Sequence, residues 1–563
     1  MRTRPAAALT CALLTTLTTL TTLSLFASLA TAQPAADAAS AASPTQAPSE
    51  PEIDTDMPPR AEEPAIDPDL PPRSGDGAGD LGLGLGEPWL KTSMQGWIDS
   101  RTTGGYARVT RLLPANDTPH LANLTEANLQ VKLDFRDRAR VYGDVSWIWA
   151  RGGFFYGDDG TGQRTDVGNH DVASARPGAF VSELYTLLRF GDRWNLTLGK
   201  KRVVWGPGLA WNPTDLFNPP KDPTDPTQQR SGSWMARLEG QYERFSLSLI
   251  GAGKTTRQSG GIPSGLVWYP DTQPALGYDA DGNQASDGRD DDAHFVLGAR
   301  IYALIADTDV QLFAFWSHLY NDAFRDKPRV GGAFSRVLGD SFEVHAELLG
   351  QTGSSRTYFD PSCTANLSSA LGCAMSGTTI AATTKLDDGK LRWKGLLGLR
   401  YQFGEAASAT AEYFFNTEGY SQSEFDAFAG ALQLRKSALR QGLPMPAGAF
   451  GGFGATSSDP GTPQKFAFEP MRRHYLFLTY MHPQLADDFT ISTVVILGLE
   501  DLSGQLAPQL LWSAKQWLNL SVGAFITLPG ASSLGAQTSA GGVSEYTIQP
   551  SLWRAFFAAR AFF

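Results

Sequence analysis

The chain ends Ser551-Leu-Trp-Arg-Ala-Phe-Phe-Ala-Ala-Arg-Ala-Phe-Phe563. Counting back by twos from Phe563 collects Phe563, Ala561, Ala559, Phe557, Ala555 and Trp553 on one face. The other face carries Phe562, Arg560, Ala558, Phe556 and Arg554. A period of two is that of a β-strand, whose side chains point alternately to opposite sides. One face is wholly apolar. In water, a free edge of this kind invites pairing with another chain. The stretch therefore asks for a setting in which its apolar face meets no water.

The opposite end reads as an address. Arg2 and Arg4 form a basic start, Ala6 to Leu29 are apolar or small, and Ala30-Thr31-Ala32 offers a cleavage site before Gln33. Residues 1–32 are expected to be a signal peptide. Cys11 precedes most of the apolar run, so it is not a lipoprotein cysteine. Residues 33–88 are rich in Pro, Ala, acids and then Gly, with too few large apolar residues for a core, and are expected to form a disordered periplasmic linker. Removing 1–32 takes two Arg and no acid, leaving 47 − 2 = 45 basic and 58 acidic residues, net −13. That balance argues against nucleic acid as a partner. Of three cysteines, Cys363 and Cys373 remain. In an exported chain the pair predicts a disulfide stapling a loop, and the spacing fits no zinc pattern.

Residues 89–563 hold no run of 18 apolar residues, which excludes helical spans. Instead, eighteen segments of about ten residues alternate, from 92–102 to 549–563. At ~3.3 Å per residue and a tilt near 45°, ten residues rise roughly 23 Å, the height of the apolar band of a membrane barrel. The connections alternate long and short. Gly191-Asp192, Glu243-Arg244, Gly339-Asp340, Gly404-Glu405 and Ala514-Lys515 are short, and the long ones follow odd-numbered strands. Short periplasmic turns with long extracellular loops produce that sorting. The expected fold is all-β: a transmembrane, antiparallel, up-and-down β-barrel of about 18 strands, range 16–20.

Alternation also sorts the faces. Trp194, Leu196 and Leu198 alternate with Asn195, Thr197 and Gly199; Leu129, Val131, Leu133 and Phe135 alternate with Gln130, Lys132, Asp134 and Arg136. The apolar face must meet lipid, because a charge at mid-bilayer costs ~2–4 kcal/mol there. The polar face then lines a wet lumen. Trp147, Trp149, Tyr242, Trp316, Tyr401, Tyr480 and Trp517 suit interfacial girdles, alongside the ordinary β-propensity of aromatics.

With a leader at one end and this strand at the other, the C-terminus resembles the terminal strand of outer-membrane barrels, which ends in Phe and is read by the barrel-assembly machinery. A second resemblance lies at 199–226. Gly199, Arg202, Trp205, Gly206, Gly208, Asn212, Pro213, Asp215, Asn218 and Pro219 match a G-x-x-R-x-x-W-G-x-G…N-P-x-D-x-x-N-P run of porin-like Gram-negative outer-membrane barrels. It covers about 25 residues, implies a porin-like protein of the cell outer membrane, and names no substrate. Read on its own, the segment is too apolar for a solvated loop. Trp205, Leu209, Trp211, Leu216 and Phe217 want burial, and its prolines stiffen it and start successive turns. Such a loop can fold into the lumen as a constriction built from Trp205, Gly206, Gly208, Trp211, Asn212, Pro213, Asp215, Phe217 and Asn218, or pack as a cap on the rim.

Alternation points Glu343, His345 and Glu347 inward from strand eleven, and Arg392, Lys394 and Arg400 inward from strand twelve. Opposed acid and base ladders would set a transverse field; a salt-bridge network in a plugged lumen is the bland alternative. Asp279-Ala-Asp-Gly-Asn283 with Asp287 and 290–292 resembles part of a calcium loop but lacks the terminal Glu, so a plain acidic loop is favoured. His294, His318, His345, His474 and His482 have no Ser or acid partner fixed by spacing, and no G-x-S-x-G elbow, phosphate-cradling motif or metal motif occurs. No enzyme and no cofactor are expected. The function expected is diffusion of small polar or charged solutes through a barrel lying in outer-membrane lipid. The alternatives are an export conduit for an anionic exopolysaccharide and a plugged structural or adhesive barrel. An active transporter is disfavoured, because 33–88 is too short and too polar to fold as a plug.

Overall fold

The computed structural model describes residues 89–106, 119–136, 138–152, 157–158, 164–165, 176–218, 223–224, 232–253, 295–318, 326–354, 356, 358–375, 381–382, 388–404, 406–440, 470–485, 488–530, 544–548 and 553–563. All of them belong to one unit, Ala61–Phe563. The signal peptide, the linker, the acidic 279–292 stretch, His294 and most of the long 418–471 connection lie outside the described residues.

Eighteen strands pair into a single sheet, each antiparallel to the next. They are β1 (Lys91–Tyr106), β2 (Pro119–Phe135), β3 (Ala139–Gly152), β4 (Arg176–Phe190), β5 (Trp194–Lys201), β6 (Ser233–Gln241), β7 (Phe245–Ala252), β8 (Val296–Ile305) and β9 (Thr308–Ser317). They continue with β10 (Arg329–Leu338), β11 (Phe342–Thr352), β12 (Leu391–Phe403), β13 (Ala407–Asn416), β14 (His474–Leu485), β15 (Phe489–Gly498), β16 (Gly504–Lys515), β17 (Leu518–Leu528) and β18 (Trp553–Phe562). β18 pairs back onto β1, so the sheet is a closed 18-stranded barrel. The count is the one that alternation predicts, and no free edge is left. At the seam, Gly96 and Phe563 exchange both backbone hydrogen bonds at 2.9 Å, and the Phe563 ring covers Gly96 so closely that a Cβ there would lie 2.6 Å from it.

The short turns are built by left-handed residues. Gly191, Gly339 and Gly404 sit at φ 62°, 65° and 61°. The β8–β9 turn uses Ala306 and Asp307, both at positive φ, which matches the twist of a two-residue hairpin. The wall obeys the alternation. Leu297, Ile301, Leu312, Leu397, Val522 and Phe557 stand about half exposed on the outside. Thr103, Asn128, Asp144, Thr197, Ser248, Arg300, His345 and Glu412 are buried on the inside. On the terminal strand Trp553, Phe557 and Phe563 face out, as the count by twos requires.

Among the described residues, three α-helices decorate the long-loop end: α1 (Pro361–Thr364), α2 (Leu367–Met375) and α3 (Gln422–Arg440). Cys363 and Cys373 are disulfide-bonded, Cα–Cα 5.8 Å, and tie α1 to α2. Thr364 of α1 packs on Gly430 of α3, and Phe359 meets Phe428 with ring centroids 5.8 Å apart. α3 interrupts a stretch expected to be loop. Its start is a capping box: the Ser421 amide donates to Glu424 at 2.8 Å, and the Glu424 amide donates back to Ser421 Oγ at 3.4 Å.

Candidate functional site

Beyond β5 the chain turns into the barrel. The Arg202 amide donates to Glu183 Oε1 of β4 at 2.7 Å. The loop then closes on itself at its root, where Asn218 Nδ2 donates to the Val203 carbonyl at 2.5 Å and to Asp215 Oδ1 at 2.8 Å. The Asp215 amide donates to the Asn212 carbonyl at 3.1 Å, which makes Asn212-Pro213-Thr214-Asp215 a turn. The spacing of Asn212, Asp215 and Asn218 is thus that of one turn and one latch.

Two tryptophans anchor the loop. Trp205, 1% exposed, meets Phe217 edge-on at 5.2 Å and stacks on Phe313 of β9 at 5.5 Å. Trp211 lies on Phe414 of β13 at 4.9 Å and Tyr475 of β14 at 5.5 Å. β9 and β14 are four and nine places round the eighteen-stranded wall from β5. The second is diametrically opposite, so the loop reaches its partners across the lumen. Around Trp205 close Met235, Ile250, Val296 and Leu349, all inward residues of β6 to β11. Around Trp211 close Leu396, Phe477, Ile496 and Phe556. The lumen wall from β6 onward is therefore not polar throughout. Its inward aromatics are the seat for the loop.

Between the two anchors, buried carboxylates hold the loop by its backbone. Glu347 Oε1 accepts from the Gly208 amide at 2.6 Å, and its Oε2 accepts from the Thr214 hydroxyl at 2.8 Å and the Thr214 amide at 3.2 Å. Glu412 Oε1 accepts from the Leu209 amide at 2.6 Å and Oε2 from the Ala210 amide at 2.9 Å. His345 Nε2 lies 2.9 Å from Glu412 Oε1, while its Nδ1 lies 3.7 Å from Glu343. Charge-assisted hydrogen bonds in a dry setting are the stronger kind, ~1.5–3 kcal/mol each. Close approach explains the glycines. Gly206 has φ 87°, and a Cβ there would lie 2.4 Å from Glu347 Oε1; at Gly208 it would lie 2.2 Å from the Trp211 carbonyl oxygen.

The six charges singled out by alternation all face inward, but they do not form two opposed ladders. Glu347 and His345 lie under the loop, each 3% exposed. Glu343 faces Arg400 at 3.9 Å. Arg392 pairs with Asp388 at 2.6 Å and Lys394 with Glu418 at 2.7 Å, both towards the long-loop end. Burial alone would raise the Glu418 carboxyl, yet the Lys394 ammonium beside it holds it below the usual carboxylate range. A second polar wall runs from β18 over β1 to β3 and mixes signs: Arg560 with Asp99 at 3.5 Å, Lys132 and Arg140 with Asp134 at 3.5 and 2.7 Å, and Asn128 donating to Asp144 at 2.6 Å. Glu412, Phe313, Phe414 and Tyr475 are the site residues that sequence reasoning missed. The alternation of β13 alone would have found Glu412.

A further buried carboxyl ties down the β17–β18 connection. Glu545 accepts from the Tyr475 hydroxyl at 2.7 Å and the Met471 amide at 2.9 Å, and its own amide donates to Asp501 at 2.8 Å. Burial, and then the Asp501 charge, push the Glu545 carboxyl up to about 8. A carboxyl raised in the folded state binds its proton more tightly there than in the unfolded chain. It stabilises fully below the unfolded value of 4.5, and that stability is lost as pH rises towards 8. Hydrogen-exchange protection around 544–548 is expected to fall between pH 5 and 8 in the wild type, and Glu545→Gln is expected to flatten that fall. Equal slopes in the two proteins would show that Glu545 does not carry it.

No family model matches the chain, and no curated protein matches it. Solved structures that are similar to it include OccAB1 of Acinetobacter baumannii, at 12% identity over 83% of this chain and 96% of that one, TM-score 0.40. OprB of Pseudomonas putida is similar at 10% identity over 84% and 94%, TM-score 0.36. A mutant of the Rh. blastica porin is similar at 9% identity over 84% and 100%, TM-score 0.32.

Proposed function

We propose that this barrel is a porin-like channel of the outer membrane through which small polar or charged solutes diffuse, with loop 202–218 setting the aperture. The supporting observation is the loop itself: it crosses to β11, β13 and β14 and is clasped by Glu347 of β11 and Glu412 of β13. A loop pinned at both tryptophans and through its backbone amides narrows a lumen without filling it. The solute then meets the mixed-sign wall of β1 to β3, which exchanges part of its hydration for charged and polar groups. No covalent step is needed, and the reading is non-catalytic. A conduit for a polyanion calls for a wall of one sign, whereas here Asp99, Asp134 and Asp144 interrupt the bases. The apolar outer wall is the lipid-facing surface, and the strand ending in Phe563 is the segment that assembly machinery would read.

The test is single-channel conductance of the refolded protein in a planar bilayer, beside a variant lacking 206–216. Steady conductance that rises on deletion is the expected result. Equal conductance in the two would remove the loop from the aperture. Silence in both, from protein shown to be folded, would leave a plugged structural or adhesive barrel.

A further inference from the structure

On the outside of the barrel, β13 presents Ala409 and Ala411 between bulkier neighbours, Leu399 and Tyr401 on β12 and Leu478 and Tyr480 on β14. The result is an apolar groove of about 370 Å3 in the outer wall. Phe403 and Tyr480 meet across its turn-side end with ring centroids 6.4 Å apart. A protein face needs roughly 800 Å2 per partner, far more than this narrow groove offers.

A cation stands beside it. On β10 the residues Val330 and Phe334 face out while Ala333 and Ser335 are buried, so Arg336 points outward, and it is exposed. Its guanidinium makes no ion pair or hydrogen bond among the described residues. It lies in the same cross-strand row as the groove: Arg336 faces Val344, which faces Leu399, then Ala411, then Leu478. Two strand spacings separate Arg336 from Leu399, roughly 10 Å. Arg336 comes three residues before Gly339 of its short turn, whereas Leu478 lies deep in β14, so the cation sits nearer the turn end than the far end of the groove. A cation on a lipid-facing wall is costly unless an anion or the interface receives it.

The geometry points to a specific phospholipid site: a headgroup phosphate of the turn-side leaflet on Arg336, with one acyl chain laid in the groove over Ala409 and Ala411. Charge selects the phosphate, and shape and apolarity select the chain. Tyr401 and Tyr480 have the amphipathic character of residues that sit near headgroups.

Native mass spectrometry of the full-length protein in mild detergent, with phosphatidylglycerol added, tests this. Unheated gel mobility establishes that each variant is a folded barrel. The wild type is expected to retain one phospholipid. Arg336→Gln is expected to lower its retention about fivefold, the effect of one arginine at a membrane surface. Ala411→Phe, which fills the groove from the lipid side, is expected to abolish retention, and Ala236→Phe elsewhere on the outer wall is expected to leave it intact. Wild-type protein without bound lipid, or either groove variant retaining as much as wild type, would overturn the proposal. A lipid-free dimer would overturn it too, by giving the groove to a second copy. The readout does not depend on conductance, so a silent channel leaves it standing.

Discussion

Glu412→Ala is expected to release the aperture loop and to give a channel of higher, noisier conductance than the wild type. The change removes the carboxylate that accepts from two backbone amides, those of Leu209 and Ala210. It also strips His345 of the partner at 2.9 Å and leaves it with Glu343 at 3.7 Å and Glu347 as its acidic neighbours. Removing one member of a buried, hydrogen-bonded charge pair costs about 3–5 kcal/mol. The strands themselves lose little, because Glu412 contributes to the wall through its backbone pairing with Gly398 and Phe477. The barrel should therefore still fold and migrate as a folded species, with the loss confined to the loop. Glu347→Ala should act in the same direction, and the double variant should add less than the sum, since both carboxylates hold one rigid segment. Single-channel recordings of the three variants decide it. Wild-type conductance in Glu412→Ala, from protein that folds, would mean that Glu347 and the two tryptophans hold the loop without Glu412.

The barrel was legible because period-two alternation repeats in every strand and because loop lengths sort by end. Those signals are local, and summing them over eighteen hairpin-linked segments gives the count that the pairing shows. The loop was half legible. Trp205, Trp211 and Phe217 announce burial by their size, and Asn212, Asp215 and Asn218 announce turns. What receives them is written on β9, β11, β13 and β14, far away in sequence, and no spacing rule links Gly208 to Glu347 across 139 residues. The polar lumen wall that alternation predicts gives way to aromatics from β6 onward for the same reason. Phe313, Phe414 and Tyr475 occupy inward positions because the loop, rather than water, is their neighbour. α3 is a different kind of miss. The Ser421-Gln-Ser-Glu424 box is a readable start signal, and Phe425, Phe428 and Ala431 follow at helical spacing, but in a chain read as all strand the 3.6-residue period went uncounted.

The second large effect concerns closure. Gly96→Val is expected to prevent formation of a closed barrel, while Gly253→Ala, where a Cβ would meet nothing within 4 Å, should be silent. At Gly96 a Cβ would lie 2.6 Å from the Phe563 ring and 2.7 Å from the Asn128 carbonyl oxygen, so both sides of the position are blocked, one of them by backbone. The ring can swing away; the β2 backbone cannot without breaking the Gly96–Leu129 and Trp97–Asn128 rungs of the β1–β2 ladder. β1 is where the last strand must find the first, with Trp97 opposite Phe562 and Asp99 opposite Arg560. A strand bent away there leaves two unpaired edges in hydrocarbon, where each unsatisfied backbone group costs several kcal/mol. The check is gel mobility without heating, which separates closed barrels from unfolded chain. A Gly96→Val protein that still runs as a folded species, with Phe563 protected from carboxypeptidase, would show that the seam tolerates a side chain and that closure is fixed by the Asp99–Arg560 half of the interface.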